Sequence, residues 1–280
     1  MLSIIATPFG YIMRFIYELV GNYGLSIFLF ALLAKLIMLP LQIKSKRSMI
    51  DMQRIQPKML ELQKKYGKDR QKYAEKVQEL YDNEGISMSA GCLPQLIILP
   101  IMLGLYYVIQ QPLTYFMQLT ADEINAIAET LNYTMQANDY TAQIGLAGVM
   151  HQHFDQIAGI SDKIMQVDFN FLGINLAATP SFGDFSILWI IPILSALTAF
   201  LSSFVTQRLN KKAAGGSVQN PQTQSMNGMM YIMVPALSLY FGFILPAGLG
   251  VYWISNNLLM MVQEVILTKL LTRPRKNKQE

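Results

Sequence analysis

Five long, mainly apolar stretches decide what this chain can fold into: residues 23–43, 92–112, 185–207, 228–245 and 246–268. About twenty such residues in an α-helix cross the hydrocarbon core of a bilayer. Only 14% of the 280 residues are charged, where a soluble domain carries about 25%. The expected fold class is therefore an all-α polytopic membrane protein with five transmembrane helices. The fourth stretch is the shortest. Pro246 and Gly248 in "LPAG" suit a tight turn between it and the fifth, so 228–268 reads as a helical hairpin.

Orientation follows from where Lys and Arg lie between the spans. Segment 44–91 carries eleven of them, 208–227 carries three and the tail 269–280 carries five. The long segment 113–184 carries only Lys163, against eight acids. Basic and acidic segments alternate as five spans require, which puts the N-terminus outside and the C-terminus in the cytoplasm. The start, "MLSIIATPFG", has neither a basic region nor a small-residue cleavage site, so no removable signal peptide is expected. The single cysteine, Cys92, excludes an internal disulfide and a Cys-rich zinc site.

Residues 1–22 precede the first span. Thr7-Pro8 reads as an N-cap followed by proline at the first helical position. Ile5, Phe9, Ile12, Ile16 and Leu19 recur at helical spacing, with Arg14 and Glu18 on another side. This is the pattern of a helix lying in the outer interface; the alternative is an extension of the first span. In 44–91, Met49, Met52, Ile55, Met59, Leu62 and Tyr66 step by three or four, Gly67 breaks the run, and Tyr73, Val77, Leu80 and Glu84 resume it. An antiparallel helical hairpin fits, with Pro57 kinking the first helix or marking its restart. Its apolar stripe serves internal packing alone, or also a docking surface. The basic tail fixes topology, and could also attract anionic lipid or ribosomal RNA.

The sequence "LFALLAKLIMLPLQ" places Lys35 near the middle of the first span, where lysine costs about 2.5–3.5 kcal/mol to insert. Either its stem snorkels past Pro40, or its ammonium faces water inside the protein. The other spans favour the second reading. Ser195, Thr198, Ser202 and Thr206 form one face at steps of three and four; Gln95, Tyr106 and Gln110 form another. Trp253, Asn256, Asn257, Gln263 and Glu264 bias one side of the last span, and Gln42 shares the side of Lys35. Single Ser and Thr residues usually join helices, but four polar faces and a cation suggest a hydrated cavity. No acid lies at the depth of Lys35; Glu264 is near the cytoplasmic end, close to Lys269. A visiting carboxylate at about 6 Å, with an effective dielectric near 20, would gain about 2.8 kcal/mol. That is about what inserting one aspartate costs, so no nucleotide is required.

"NYGLSIFLFALLAKLIMLPLQIKSKRSMIDMQRIQPKMLELQKKYG", "GCLPQLIILPIMLGLYYVI" and "FGFILPAGLGVYWISNN" resemble the first span with its cytoplasmic hairpin, the second span and the closing hairpin of the YidC/Oxa/Alb family of membrane protein insertases. "VDFNFLGINLAATPS" resembles the segment entering the third span. The resemblance covers about 20–112 and 166–270; 113–165 resembles nothing known to us, though "ADEINAIAETLNYTMQ" and "AQIGLAGVMHQHFDQIAG" look helical. The resemblance implies five helices enclosing a hydrophilic groove that opens to the cytoplasm and to lipid, with Tyr252 and Trp253 as the aromatic pair near it. The family usually has arginine where this chain has Lys35, which loses the planar fork of donors. The short form resembles that of Gram-positive bacteria.

The resemblance implies a non-enzymatic insertase of the bacterial cell membrane acting on nascent membrane proteins, without cofactor or metal. Its expected partners are the Sec translocon, the signal recognition particle receptor, the ribosome and membrane lipids, and no DNA. His151 and His153 lack the acids that would make them a metal site. The many methionines, Met226, Met229, Met230, Met233, Met260 and Met261 among them, suit a surface accepting varied apolar segments, or serve as filler. A small-solute or anion transporter using Lys35 is the competing reading, but no internal repeat is visible. A hydrolase would need a G-x-S-G or H-E-x-x-H motif or an intramembrane aspartate, and the chain has none.

Overall fold

A computed structural model describes residues 2–85, 93–135, 142–213 and 221–272. Cys92 and the basic tail from Arg273 lie outside the described residues, as do the side chains of Gln95, Met226, Met229 and Met230.

The long helices are α1 (Leu2–Val20), α2 (Tyr23–Arg54), α5 (Leu93–Gln110), α10 (Ile190–Ala213), α11 (Pro221–Gly242) and α12 (Ala247–Leu271). Between them lie α3 (Gln56–Tyr66) and α4 (Arg70–Asn83), and the short α6 (Pro112–Tyr115), α7 (Ala121–Thr130), α8 (Ala142–Met150) and α9 (Phe154–Ile157). Strands β1 (Asn170–Phe171) and β2 (Ile174–Asn175) pair antiparallel around a turn with Gly173 at φ 79°. The chain forms two compact units: Met1–Ala34, Ile98–Thr198 and Pro235–Asn256 in the first, and Lys35–Ile97, Ala199–Val234 and Asn257–Glu280 in the second.

Among the described residues, two helices combine the length and hydropathy needed to cross a membrane, Tyr23–Arg54 and Ile187–Lys211. Their most apolar windows are only 28% and 33% buried, so neither is the core helix of a soluble domain. Leu33, Leu36 and Ile37 on α2, and Ile193, Leu197 and Phe200 on α10, stand exposed. Large apolar side chains standing out along both helices suit contact with lipid. In α12, Asn256, Asn257, Gln263 and Glu264 dilute the apolar pattern.

In the first unit α1 differs from expectation at its start. It begins at Leu2, with Pro8 inside it, so Thr7 is not its N-cap. Proline removes one helical hydrogen bond, to the Ile4 carbonyl, on a side where Ile4 and Pro8 are exposed. The helix is not an extension of the first span: Gly21, at φ 63°, separates it from α2. Ala6, Met13, Ile16 and Tyr17 face inward, while Ile4, Tyr11, Phe15 and Leu19 stand exposed. Arg14 pairs with Glu18 at 2.9 Å and donates to the Met117 carbonyl at 3.2 Å.

Segment 113–184 builds its own core. Tyr23 meets Phe116 and Phe169 edge-on at 5.8 and 4.7 Å, and Ile127, Ile144, Leu146 and Ile157 are fully enclosed. A capping box opens α7, with Thr120 and Glu123 satisfying each other's backbone N–H groups. The same segment caps α12. The first N–H groups of a helix have no partner within it, and here Ala247 and Gly248 donate to the carbonyls of Ala178 and Leu176, both at 2.9 Å.

In the second unit α2 runs on to Arg54, well past the apolar stretch. Pro57 marks a restart, in the first turn of α3. Helices α3 and α4 lie antiparallel: the Tyr81 hydroxyl donates to the Met59 sulfur at 3.6 Å, and Lys58 pairs with Glu84. Ile50, Ile55 and Tyr81 are buried, and no large hydrophobic of α3 or α4 is among the exposed ones.

Candidate functional site

On an α-helix, residues seven and eleven apart return to within about 20° of one face. Lys35, Gln42 and Lys46 share such a face of α2. Lys35 is half-buried and makes no hydrogen bond or ion pair among the described residues; the acid whose charge reaches it is Glu264. Gln42 accepts a hydrogen bond from the Gln263 amide of α12. Lys46, 3% exposed, pairs with the Glu264 carboxylate and donates to Asn210 Oδ1 at 2.7 Å. Asn210 in turn donates through Nδ2 to the Met49 sulfur at 3.4 Å. One ammonium thus gathers α2, α10 and α12.

Glu264 does not pair with Lys269, its neighbour in the sequence. Glu264 turns to Lys46, 218 positions away in the chain. A carboxylate in a largely apolar helix needs a cation that is buried with it, and a terminal lysine with an exposed head does not supply one.

Ser202 and Thr206 also belong to the second unit. Ser202 is buried, and the Thr206 hydroxyl is buried without a hydrogen-bond partner among the described residues. Asn257 is half-buried. Gln95 lies on α5, with its side chain outside the described residues.

In the first unit Ser195, fully buried, donates to the Gly250 carbonyl of α12 at 3.3 Å. Thr198 donates to the carbonyls of Leu194 and Ser195 at 2.7 and 3.1 Å. These two hydroxyls act as helix glue and back-bonding groups, so the Ser/Thr face of α10 is not uniform along its length. Gln110 and Tyr252 are buried. Tyr106 meets Tyr107 edge-on at 5.4 Å, Trp253 tilts against Phe241 at 6.0 Å, and Asn256 is half-buried.

Sequence reasoning missed Lys46 and Asn210. The spacing from Lys35 was a usable signal for Lys46, since both lie on the Gln42 side. Asn210, one residue before two lysines in a basic segment, gave none. His151 and His153 gain no third ligand: no group of three or more His, Cys, Asp or Glu among the described residues could hold a metal.

Comparison with known proteins places these features in a family. The family model described as "60Kd inner membrane protein" matches residues 15–274. A relative from Clostridium perfringens (strain 13 / Type A), named membrane protein insertase YidC, is 31% identical over 260 residues, which is 93% of this chain and 84% of that protein. Relatives of the same name from Cellvibrio japonicus (strain Ueda107) and Francisella tularensis subsp. novicida (strain U112) are 28% and 29% identical over 269 residues. The chain is covered to 96% in both, but spans only 36% of each of those longer proteins. With a family match over nearly its whole length, the chain belongs to the 60Kd inner membrane protein family, the YidC/Oxa/Alb group that its motifs resemble.

Proposed function

We propose that this protein is a membrane protein insertase of the bacterial cell membrane. It takes nascent hydrophobic segments into lipid through a hydrophilic groove open to the cytoplasm, without hydrolysing a nucleotide and without catalytic chemistry. The observation that carries this reading is Lys35, a half-buried ammonium in a membrane-crossing helix without an ion-pair partner among the described residues. Such a cation attracts the acidic group that a guest must bring into the bilayer, by about 2.8 kcal/mol at 6 Å and an effective dielectric near 20. An interior-negative potential then helps that group outward by about 2.3 kcal/mol per 100 mV. Gln42, Ser202, Thr206 and Asn257 would add polar groups beside Lys35. Of the other polar residues expected to line the groove, Ser195 and Thr198 instead bond backbone within the first unit.

The proposed topology has five spans, with the N-terminus outside. Helices α5, α11 and α12, of 18, 22 and 25 residues, are long enough to join α2 and α10 at about 1.5 Å per residue. The α3–α4 pair would then lie in the cytoplasm. With its apolar stripe turned inward, docking to a ribosome, the Sec translocon or the signal recognition particle receptor would rest on its charges. The names of the relatives favour the insertase over the anion transporter.

Replacing the protein in depleted cells with Lys35→Ala and Lys35→Arg, and following a Sec-independent guest, tests the reading. Insertion is lost with alanine and kept with arginine. Full insertion with alanine would remove the charge from the mechanism.

A further inference from the structure

Lys35 is not the only cation on its face of α2. Lys46 lies eleven residues on, about 16 Å along the helix axis, with Gln42 between them. Lys46 is the more deeply buried residue of the two, and Glu264 and Asn210 hold its ammonium. Taking an ion pair out of water costs several kcal/mol per ion, and apolar residues in its place are often as stable. Packing alone therefore does not call for the pair. Glu264 itself is not sealed in, since its side chain keeps 16% of its exposure.

The charges do not balance. The carboxylate that pairs with Lys46 is also the one whose charge reaches Lys35. Two ammoniums on one helix face thus share a single resident acid among the described residues, which leaves room for one more negative charge.

We infer that Lys46 is a second carboxylate-binding site, occupied at rest by Glu264, and that a guest segment's Asp or Glu side chain exchanges with Glu264 there before it reaches Lys35. The exchange leaves two cations facing two carboxylates. Asn210 would keep the ammonium oriented while its anion changes, because its oxygen bonds Lys46 independently of Glu264. The ligand is a carboxylate borne on an apolar segment. A free small anion lacks the segment that would bring it to this depth. This inference rests on the insertase reading.

The test uses the full chain in proteoliposomes, with a photo-crosslinking amino acid in place of Gln42. Two single-span guest peptides are compared, one with an Asp in its leading polar segment and one with Asn there. The readout is the ratio of Asp-guest to Asn-guest crosslinking. The ratio exceeds one in the parent protein, rises severalfold in Glu264→Gln, falls towards one in Lys46→Gln and is retained in Lys46→Arg. Glu264→Asp, which keeps the charge on a shorter stem, gives an intermediate rise and serves if Glu264→Gln does not fold. A ratio unmoved by Lys46→Gln and by either Glu264 variant would overturn the inference while guests still insert. If the parent protein inserts neither guest, the insertase reading itself fails.

Discussion

Glu123 shows what one residue contributes to its element. Its carboxylate accepts from the Thr120 backbone N–H at 2.7 Å and from the Thr120 hydroxyl at 3.0 Å. These bonds hold its pKa down, from its ordinary value of 4.5 to about 2. A carboxylate with a lowered folded-state pKa stabilises the fold above its ordinary pKa and loses that contribution as pH falls towards the folded value. Protection of the α7 amides in hydrogen exchange is therefore constant from neutral pH to about pH 5 and declines between about pH 4.5 and pH 2. Glu123→Gln preserves the box, because glutamine serves the same position, and flattens this decline; an unchanged pH profile in Glu123→Gln would contradict the assignment. The Thr-x-x-Glu spacing, within one turn, was a local signal that the sequence analysis left unused. The Lys46–Glu264 pair was not legible, because a contact across 218 positions leaves no local trace. Only the common side of Lys35, Gln42 and Lys46 hinted at it.

At the scale of elements, close approach decides where helices can sit. A Cβ on Gly10 would overlap the Tyr115 carbonyl oxygen, and one on Gly104 would meet Ile5 and Phe9. Helix α1 thus rests against α5 and α6 through positions that carry no side chain. Gly10→Ala forces backbone to move, since the obstacle is a carbonyl and not a flexible side-chain tip. Overpacking of this kind costs about 1–3 kcal/mol. Thermal unfolding in detergent should show a lower midpoint for Gly10→Ala than for the parent protein, although alanine is the better helix former. Equal midpoints would mean that α1 shifts freely. The restart at Pro57 could be read from sequence, but the buried face of α1 only in part: Ile16 is buried as expected, whereas Leu19 is exposed and Ala6, Met13 and Tyr17 are buried instead. The start of α1 could not. Thr7-Pro8 carries a helix-opening signature, yet six residues precede Pro8 in the helix, where the lost hydrogen bond falls on an exposed side. The run of α2 to Arg54 was also hidden. Helical periodicity continued across the point where apolar composition stopped, and composition alone suggested a boundary there.

At the scale of the whole molecule, composition carried the fold class and short motifs carried the family. Long apolar stretches and sparse charge need no tertiary information to be recognised, and the motif around Leu245–Gly248 coincides with the break between α11 and α12. The small core of 113–184 was legible only as two helical patterns. Its contacts, such as those of Tyr23 with Phe116 and Phe169, join aromatic residues from distant segments whose local patterns do not announce one another. The polar faces of α10 and α12 were visible as spacing. What spacing did not reveal is which hydroxyls bond backbone: Ser195 and Thr198 do, and the Thr206 oxygen makes no hydrogen bond among the described residues.

The proposed mode of insertion requires the Lys35 ammonium to stand in water continuous with the cytoplasm. The most direct measurement is thiol labelling of Lys35→Cys in a Cys92→Ser background, with a charged, membrane-impermeant reagent added to one side of sealed vesicles at a time. Labelling from the cytoplasmic side and not from the outside is the predicted result. Reaction only with an apolar, membrane-permeant maleimide, and with the charged reagent from neither side, would put position 35 in lipid and contradict the proposed mode of insertion.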